Sequence, residues 1–183
     1  MMTNKPRIFA LLSFIALALI SRIYLFPHAG IAPIDAIALF SGAYFGRKWL
    51  GFICPLLAVW ISDQIVNLQF YHKIVPFYDG FYWQYGCYIL MVILASFMLK
   101  KPKVLSVGGA ALISALLFFV ISNFGVWAGG TMYPMNGSGL TACYIAALPY
   151  LNMAVLSNLI CCGVLFGGFE LLKYRFPKLA VNV

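Results

Sequence analysis

The sequence has 183 residues, of which 64% are hydrophobic and only 9% are charged. Soluble domains carry about 25% charged residues, so this composition excludes a soluble protein and indicates an integral membrane protein. The net charge of +8 does not indicate nucleic-acid binding, because the basic residues stand in pairs and triplets at the ends of apolar runs. The length allows about six spans and leaves no room for a soluble domain, so we predict a single transmembrane domain over residues 1–183.

The apolar runs predict an all-α protein with six transmembrane helices. The first run is long for a signal peptide and contains Arg22, and no A-x-A cleavage site follows it, which favours a retained helix. Residues 140–148 are mildly amphipathic and are expected to lie in the membrane interface or to cover a site as a lid. The predicted helices are residues 8–26, 33–46, 49–68, 81–99, 104–127 and 151–172.

The distribution of basic residues predicts the orientation of the chain. If the amino terminus is cytoplasmic and every connection alternates sides, ten of the twelve cations lie inside. Only Arg22 and Lys73 then fall outside, so the positive-inside rule predicts six spans with both termini in the cytoplasm. The inside cations are Lys5, Arg7, Arg47, Lys48, Lys100, Lys101, Lys103, Lys173, Arg175 and Lys178. The longer outer connections are rich in aromatic and polar residues, so a binding site is expected to open outward.

Charged residues inside the apolar runs mark the first candidate site. Arg22, Asp35 and Asp63 all fall in the outer halves of their predicted spans. A charge near the middle of a bilayer costs at least ~2.5 kcal/mol, so these residues need partners, water or a ligand. Two interpretations stay open: a structural ion pair, and a direct role in ligand or proton handling. Gln64 and Asn67 add more polarity to the same helix as Asp63 than packing requires.

The histidines and cysteines give weaker signals. His28 and His72 are both predicted to be external, and each is either an interfacial residue or a metal ligand or pH-sensitive group. Cys87 and Cys143 lie near the outer surface, where an oxidising compartment would allow a disulfide. The other three cysteines lie inside apolar runs, where a thiol behaves as a small hydrophobic group.

Cys87 follows a dense aromatic segment, GFYWQYGCY, that contains Tyr82, Trp83 and Tyr85. An aromatic belt at the membrane interface explains these rings without any ligand. The alternative is a thiolate ligand in an aromatic pocket, suited to a late transition metal carried inside a large organic molecule. The commonest P-loop, G-x-S-x-G and H-E-x-x-H patterns are absent from the sequence, which removes the usual nucleotide-hydrolysis and hydrolase signatures.

Four segments resemble a family of small six-helix bacterial membrane proteins: HAGIAPIDAIALFSGAYFG, PLLAVWISD, FFVISNFGVWAGGTMYP and GLTACYIAALPY. Within that group the chain resembles the BtuM-type cobalamin transporters, which are similar to the substrate-binding S-components of energy-coupling-factor transporters. The resemblance implies a bundle in the bacterial cytoplasmic membrane that binds a vitamin in an outward-facing pocket. It also implies an axial cysteine that coordinates the cobalt of cobalamin and assists removal of its cyano group. Cys87 is the position that fits, with His28 and Asp63 in the pocket.

The first helix departs from the S-component pattern. Proteins that dock on a coupling module usually carry A-x-x-x-A there, whereas Ala10 and Ala18 are eight residues apart with Phe14 between them. A solitary transporter without an ATPase module is therefore expected.

The sequence and the resemblance together predict a vitamin uptake protein with cobalamin or a related corrinoid as its transported ligand and with no intrinsic cofactor. The alternatives are a proton-coupled transporter of another small metabolite that uses Asp35 or Asp63, a membrane-embedded enzyme with His28 and an aspartate as acid and base, and a scaffold subunit. The expected ligand-binding residues are His28, Asp35, Asp63, Asn67, Tyr82, Trp83, Tyr85, Asn123, Trp127 and Tyr133, with Cys87 on the cobalt.

Overall fold

All regular structure in the described part of the chain is helical. The computed structural model describes residues 5–29, 33–45 and 49–180, without the side chains of residues 25–29. Within these ranges six α-helices and one 3₁₀ turn follow one another, and no strand occurs. They are α1 (Lys5–Ala29), α2 (Ile34–Phe45), α3 (Trp49–Tyr71), α4 (Phe81–Met98), α5 (Val104–Ala128), α6 (Gly137–Arg175) and the 3₁₀ turn Pro177–Leu179.

The all-α prediction is confirmed, and five of these helices are long and apolar enough to cross a membrane, which is compatible with a multi-pass membrane protein. The exception is α2, which has 12 residues and a length of about 18 Å, against about 30 Å for the hydrocarbon core of a bilayer. The sequence already shows this run to be the shortest of the six.

The last helix begins well before its predicted start. Residues 140–148, expected to be a separate interfacial piece or lid, form part of α6, so that prediction is wrong. The helix starts at Gly137 because the Asn136 side chain accepts a hydrogen bond from the Gly139 amide at 2.9 Å, as an N-cap residue does. Pro149 lies inside the helix and does not end it.

The short helix α2 is the packing centre of the bundle. It contacts all five other helices, and residues 36–40 are completely buried. A helix that is apolar on every side needs an apolar environment, and for α2 the other five helices supply most of it. On one side α2 contributes to an aromatic cluster whose ring centroids lie 4.6 to 6.1 Å apart. That cluster consists of Phe14, Phe40, Tyr44, Phe166 and Phe169.

Small residues allow α2 and α4 to approach closely. A Cβ atom on Gly42 would overlap the Val92 carbonyl oxygen, so α2 can take no side chain at this point. The four-residue spacing of Gly163 and Gly167 in the sequence predicts another close helix contact. A Cβ at either glycine would meet nothing within 4 Å, so that prediction is wrong.

Both ends of the described chain lie at the same end of the bundle. Arg7 Nη1 donates to the Leu179 carbonyl oxygen at 3.0 Å. The Tyr44 hydroxyl donates to Glu170 Oε1 at 2.5 Å, and Lys173 Nζ lies 2.8 Å from both Glu170 carboxylate oxygens. We call these five residues the terminal cluster. It joins the start of α1, the end of α2 and the end of α6.

Candidate functional site

A buried ion pair joins α1 to α3 about 22 Å along α1 from Arg7. Arg22 Nη2 lies 2.8 Å from Asp63 Oδ1, and the two side chains are only 9% and 13% exposed. Arg22 Nη1 also donates to the Ser62 hydroxyl. The structure therefore brings together two of the three charged residues that the sequence placed in the outer halves of their spans.

A second carboxylate lies close to the same guanidinium. Asp35 is in the first turn of α2, within electrostatic range of Arg22. The amino-terminal end of a helix carries partial positive charge, which stabilises a carboxylate there. Arg22 thus interacts with carboxylates from two different helices, and three helices meet at one charged centre.

The fourth helix contributes hydrogen bonds through a glutamine between two tyrosines. The Tyr78 hydroxyl donates to Gln84 Oε1, and Gln84 Nε2 donates to the Tyr88 hydroxyl oxygen at 3.0 Å. Tyr78 precedes α4, and burial together with the negative charge of Asp63 raises the pKa of its phenol well above the usual value. The phenol therefore stays neutral across physiological pH and remains a donor to Gln84.

These two groups of residues interact electrostatically. Tyr88 lies within electrostatic range of Arg22, Asp35 and Asp63. We call the combined set the polar site; it consists of Arg22, Asp35, Ser62, Asp63, Tyr78, Gln84 and Tyr88. It links α1, α2, α3 and α4 at the end of the bundle away from the terminal cluster.

One acceptor beside the polar site has no hydrogen-bond partner within the described part of the chain. It is the buried Oε1 atom of Gln64, the residue after Asp63. A buried acceptor without a donor costs about 1–3 kcal/mol, so the position is suited to a water molecule or a donor group of a ligand.

A cavity of about 140 Å³ lies at the Tyr78–Gln84 hydrogen bond, where Asp79, Trp83 and Ser122 also line it. One water molecule occupies about 30 Å³ of liquid, so this cavity holds a few waters. Small-molecule pockets measure about 300–1,000 Å³. A corrinoid therefore does not fit at this position without rearrangement of the helices around it.

Cys87 lies on α4 between Gln84 and Tyr88 of the polar site and is completely buried. It belongs to the core on α4 and is within electrostatic range of Asp35. Cys87 and Cys143 are both free thiols, so the disulfide considered from the sequence is not formed. The Cys143 thiol instead donates to the Asn123 carbonyl oxygen at 3.4 Å.

One series of ring contacts, completed by Phe81 and Phe124, includes four of the aromatic residues expected around a ligand: Tyr82, Trp83, Tyr85 and Trp127. Trp83 packs on Phe124, with ring centroids 5.3 Å apart, while Tyr82 is 61% exposed. Trp127 Nε1 donates to the Pro134 carbonyl oxygen at 3.0 Å and so fixes the connection between α5 and α6. Tyr85 meets Phe81 edge to face.

The remaining expected residues are not gathered at one place. Asn123 donates to the Phe119 carbonyl of its own helix at 2.7 Å and lines a different cavity, of about 170 Å³, between α5 and α6. Asn67 is half-buried near the end of α3, and Tyr133 is half-buried after α5. The His28 side chain lies outside the described residues.

Sequence reasoning missed four members of the polar site: Ser62, Tyr78, Gln84 and Tyr88. A signal was present, because Gln84 is a polar residue at the start of an apolar run and Tyr88 follows it at the i,i+4 spacing of a helix. Within the described side chains, no group of three His, Cys, Asp or Glu residues is placed to hold a metal ion.

Comparison with known proteins places the chain in a family. A family model described as a family of unknown function, DUF6580, matches residues 2–179. The chain belongs to this family. No curated protein and no solved structure matches it. The DUF6580 match covers all six helices, so the polar site and the terminal cluster both lie within the family's extent.

Proposed function

We propose that this DUF6580 protein is a membrane transport protein whose binding site is formed at the polar site. The observation that carries this proposal is a charged and hydrogen-bonded group that joins four helices inside an otherwise apolar bundle. Ionisable residues within membrane helices typically mark substrate, ion or proton pathways, because they are expensive to keep there for packing alone. The Gln64 oxygen without a partner among the described residues and the cavity beside Gln84, which holds a few water molecules, support access for a ligand from one end of the bundle.

The proposed topology has six crossings with both termini in the cytoplasm. The Arg7–Leu179 hydrogen bond supports it, because termini at the same end require an even number of crossings. Five helices are long enough to span, so α2 supplies the sixth crossing. The excess of cations at the end with both termini then places that end in the cytoplasm and the polar site toward the outside.

The proposed ligand is a vitamin, with cobalamin or a related corrinoid as the leading candidate and the bacterial cytoplasmic membrane as its setting. Cys87 is the proposed cobalt ligand, and it lies on α4 between Gln84 and Tyr88 of the polar site. Because Cys87 is completely buried, coordination requires α4 to separate from α2 and to enlarge the small cavity beside Gln84.

The test is the absorption spectrum of the purified protein after incubation with cyanocobalamin and removal of free ligand. Wild type is expected to retain corrinoid with shifted bands, and Cys87→Ser is expected to lose the shift, since thiolate coordination changes the electronic environment of cobalt. Cys162→Ser is the matched control, because Cys162 is also a buried thiol, 1% exposed, on α6. If all three proteins retained corrinoid with an unshifted spectrum, Cys87 would not be the cobalt ligand. If wild type retained no corrinoid, the proposal of a corrinoid ligand would be wrong.

Proton-coupled transport of another small metabolite is the second candidate. It is favoured by the interaction of Asp35 and Asp63 with one guanidinium and by a cavity that holds a few water molecules. The experiment is uptake of labelled thiamine, riboflavin, biotin and cyanocobalamin into proteoliposomes with an imposed pH gradient.

The two candidates predict opposite results in that assay. Proton coupling predicts gradient-dependent uptake that Asp63→Asn abolishes, Asp63→Glu partly restores and Cys87→Ser leaves intact. The corrinoid proposal predicts uptake of cyanocobalamin that Cys87→Ser abolishes. Thermal unfolding of each variant in detergent shows whether a loss of uptake is a loss of fold.

A further inference from the structure

We propose that an anionic phospholipid binds in a groove between α1 and α6, at the end of the bundle that contains both chain termini. The groove is a cavity of about 600 Å³ with an almost entirely apolar lining, which includes Phe9, Phe14 and Leu172. Two cations, Arg175 and Lys178, stand at its terminal end. This arrangement matches a molecule with an apolar chain and a negatively charged head group. The inference needs the proposed orientation of the bundle but does not depend on transport.

The groove has the depth of one membrane leaflet. Its lining on α1 runs from Pro6 to Leu17, a rise of about 17 Å along the helix. One leaflet contributes about half of the ~30 Å hydrocarbon core. A second cavity of about 270 Å³ shares Phe14 and Leu17 and continues the groove to Ser21. A lipid acyl chain can therefore lie along the seam between the two helices.

The charge at the mouth of the groove favours an anionic head group. Arg175 and Lys178 are both exposed, and no acidic residue lines the groove in the described part of the chain. The nearby carboxylate of Glu170 accepts hydrogen bonds from Lys173 and Tyr44 within the terminal cluster. Basic residues between helices on the cytoplasmic side are typical binding positions for anionic lipid head groups.

The shape of the groove favours a lipid over a partner helix. Phe9 is 74% exposed and Leu17 is 64% exposed, so the groove is open sideways to the bilayer along this depth. A transmembrane partner helix needs contact over the full hydrocarbon thickness of about 30 Å. The large cavity, with its cations at one end, covers only the inner half of that thickness.

The experiment measures lipid binding by native mass spectrometry on delipidated full-length protein in mild detergent. The probes are dioleoylphosphatidylglycerol and dioleoylphosphatidylcholine, which have the same acyl chains and differ in head-group charge. Wild type is expected to retain one phosphatidylglycerol and little phosphatidylcholine. The double variant Arg175→Gln/Lys178→Gln is expected to lower phosphatidylglycerol binding about tenfold, since each basic residue contributes to head-group attraction.

The matched control is Lys100→Gln/Lys101→Gln, which removes two exposed cations from the α4–α5 connection at the same membrane surface. It is expected to leave lipid binding unchanged. Ala10→Phe places a ring in the groove without altering charge and is expected to reduce binding while thermal unfolding reports on its fold. An equal loss of binding in the control, equal binding of both lipids, or a lipid-free dimer in the spectra would each overturn the proposal.

Discussion

Arg22 shows how much of a buried charge's surroundings can be predicted from a sequence. Charges in apolar runs need partners, so the sequence predicts that Arg22, Asp35 and Asp63 interact once their depths are similar. The sequence does not predict which carboxylate forms the ion pair with Arg22, because that choice depends on how α1, α2 and α3 pack. In the structure Asp63 forms the 2.8 Å ion pair, and Asp35 is placed by the first turn of α2.

Breaking the Arg22–Asp63 ion pair from one side is expected to destabilise the bundle strongly. Arg22→Met leaves the Asp63 carboxylate without its partner among apolar helices, and removal of one member of a buried pair costs about 3–5 kcal/mol. The double variant Arg22→Met/Asp63→Leu removes both charges and is expected to recover most of the loss. The measurement is the midpoint of thermal unfolding in detergent.

Asp79→Asn is the control for this pair, since Asp79 is an exposed carboxylate in the α3–α4 connection. Its effect is expected to stay within about 0.5 kcal/mol, as for most surface substitutions. If Arg22→Met unfolded no earlier than Asp79→Asn, the ion pair would contribute little to stability.

Cys87 marks the limit of residue-level prediction for the site. The sequence shows its position near the outer edge of an apolar run and the aromatic residues beside it. Its burial depends on the face of α4 that meets α2, and the segment shows too little amphipathic periodicity to identify that face. The same uncertainty explains why Trp83 and Asn123, expected in one pocket, line separate cavities.

At the level of helices, apolar runs located five of the six elements closely and misplaced one end of the sixth. Asn136, Gly137 and Ser138 have the composition of a loop, and Pro149 suggests a break. The Asn136 cap nevertheless starts α6 at Gly137. Turn-forming residues and helix caps are the same residue types, so composition alone does not separate the two.

The contact between α2 and α4 gives a prediction at this scale. Gly42→Ala is expected to destabilise the protein by about 1–3 kcal/mol, because the added methyl overlaps the fixed carbonyl of Val92 and one helix must move. This cost opposes the gain of up to about 1 kcal/mol that alanine has over glycine in a helix. Thermal unfolding in detergent measures the net change.

Gly163→Ala supplies the comparison, because a Cβ there meets nothing within 4 Å. It is expected to be neutral or slightly stabilising. Equal effects at the two glycines would mean that helix propensity, and not the close approach of α2 and α4, determines the result.

For the whole molecule, the distribution of basic residues predicts the orientation, and the Arg7–Leu179 contact supports an even number of membrane crossings. Lys73→Cys is expected to react with a membrane-impermeant maleimide in intact cells, whereas Lys101→Cys is expected to react only in inverted membrane vesicles. Both positions are exposed in connections between helices. The unsubstituted protein is the control for labelling of its own cysteines.

The same experiment tests whether α2 crosses the membrane. Without that crossing, and with the amino terminus inside, residue 73 would be cytoplasmic and residue 101 external. The labelling pattern would then be reversed, in conflict with the Arg7–Leu179 contact that joins the two ends of the chain.

The complete burial of α2 also constrains how the protein is made. The helix leaves the ribosome second, yet most of its surroundings belong to α3, α4, α5 and α6, which are synthesised later. At about 18 Å it is too short to be a strong stand-alone insertion signal. We therefore expect α2 to enter the membrane as a hairpin with α3 and to reach its final surroundings only after α6 has been inserted. The packing of α2, the second helix to be synthesised, is thus expected to be the last step in the assembly of the bundle.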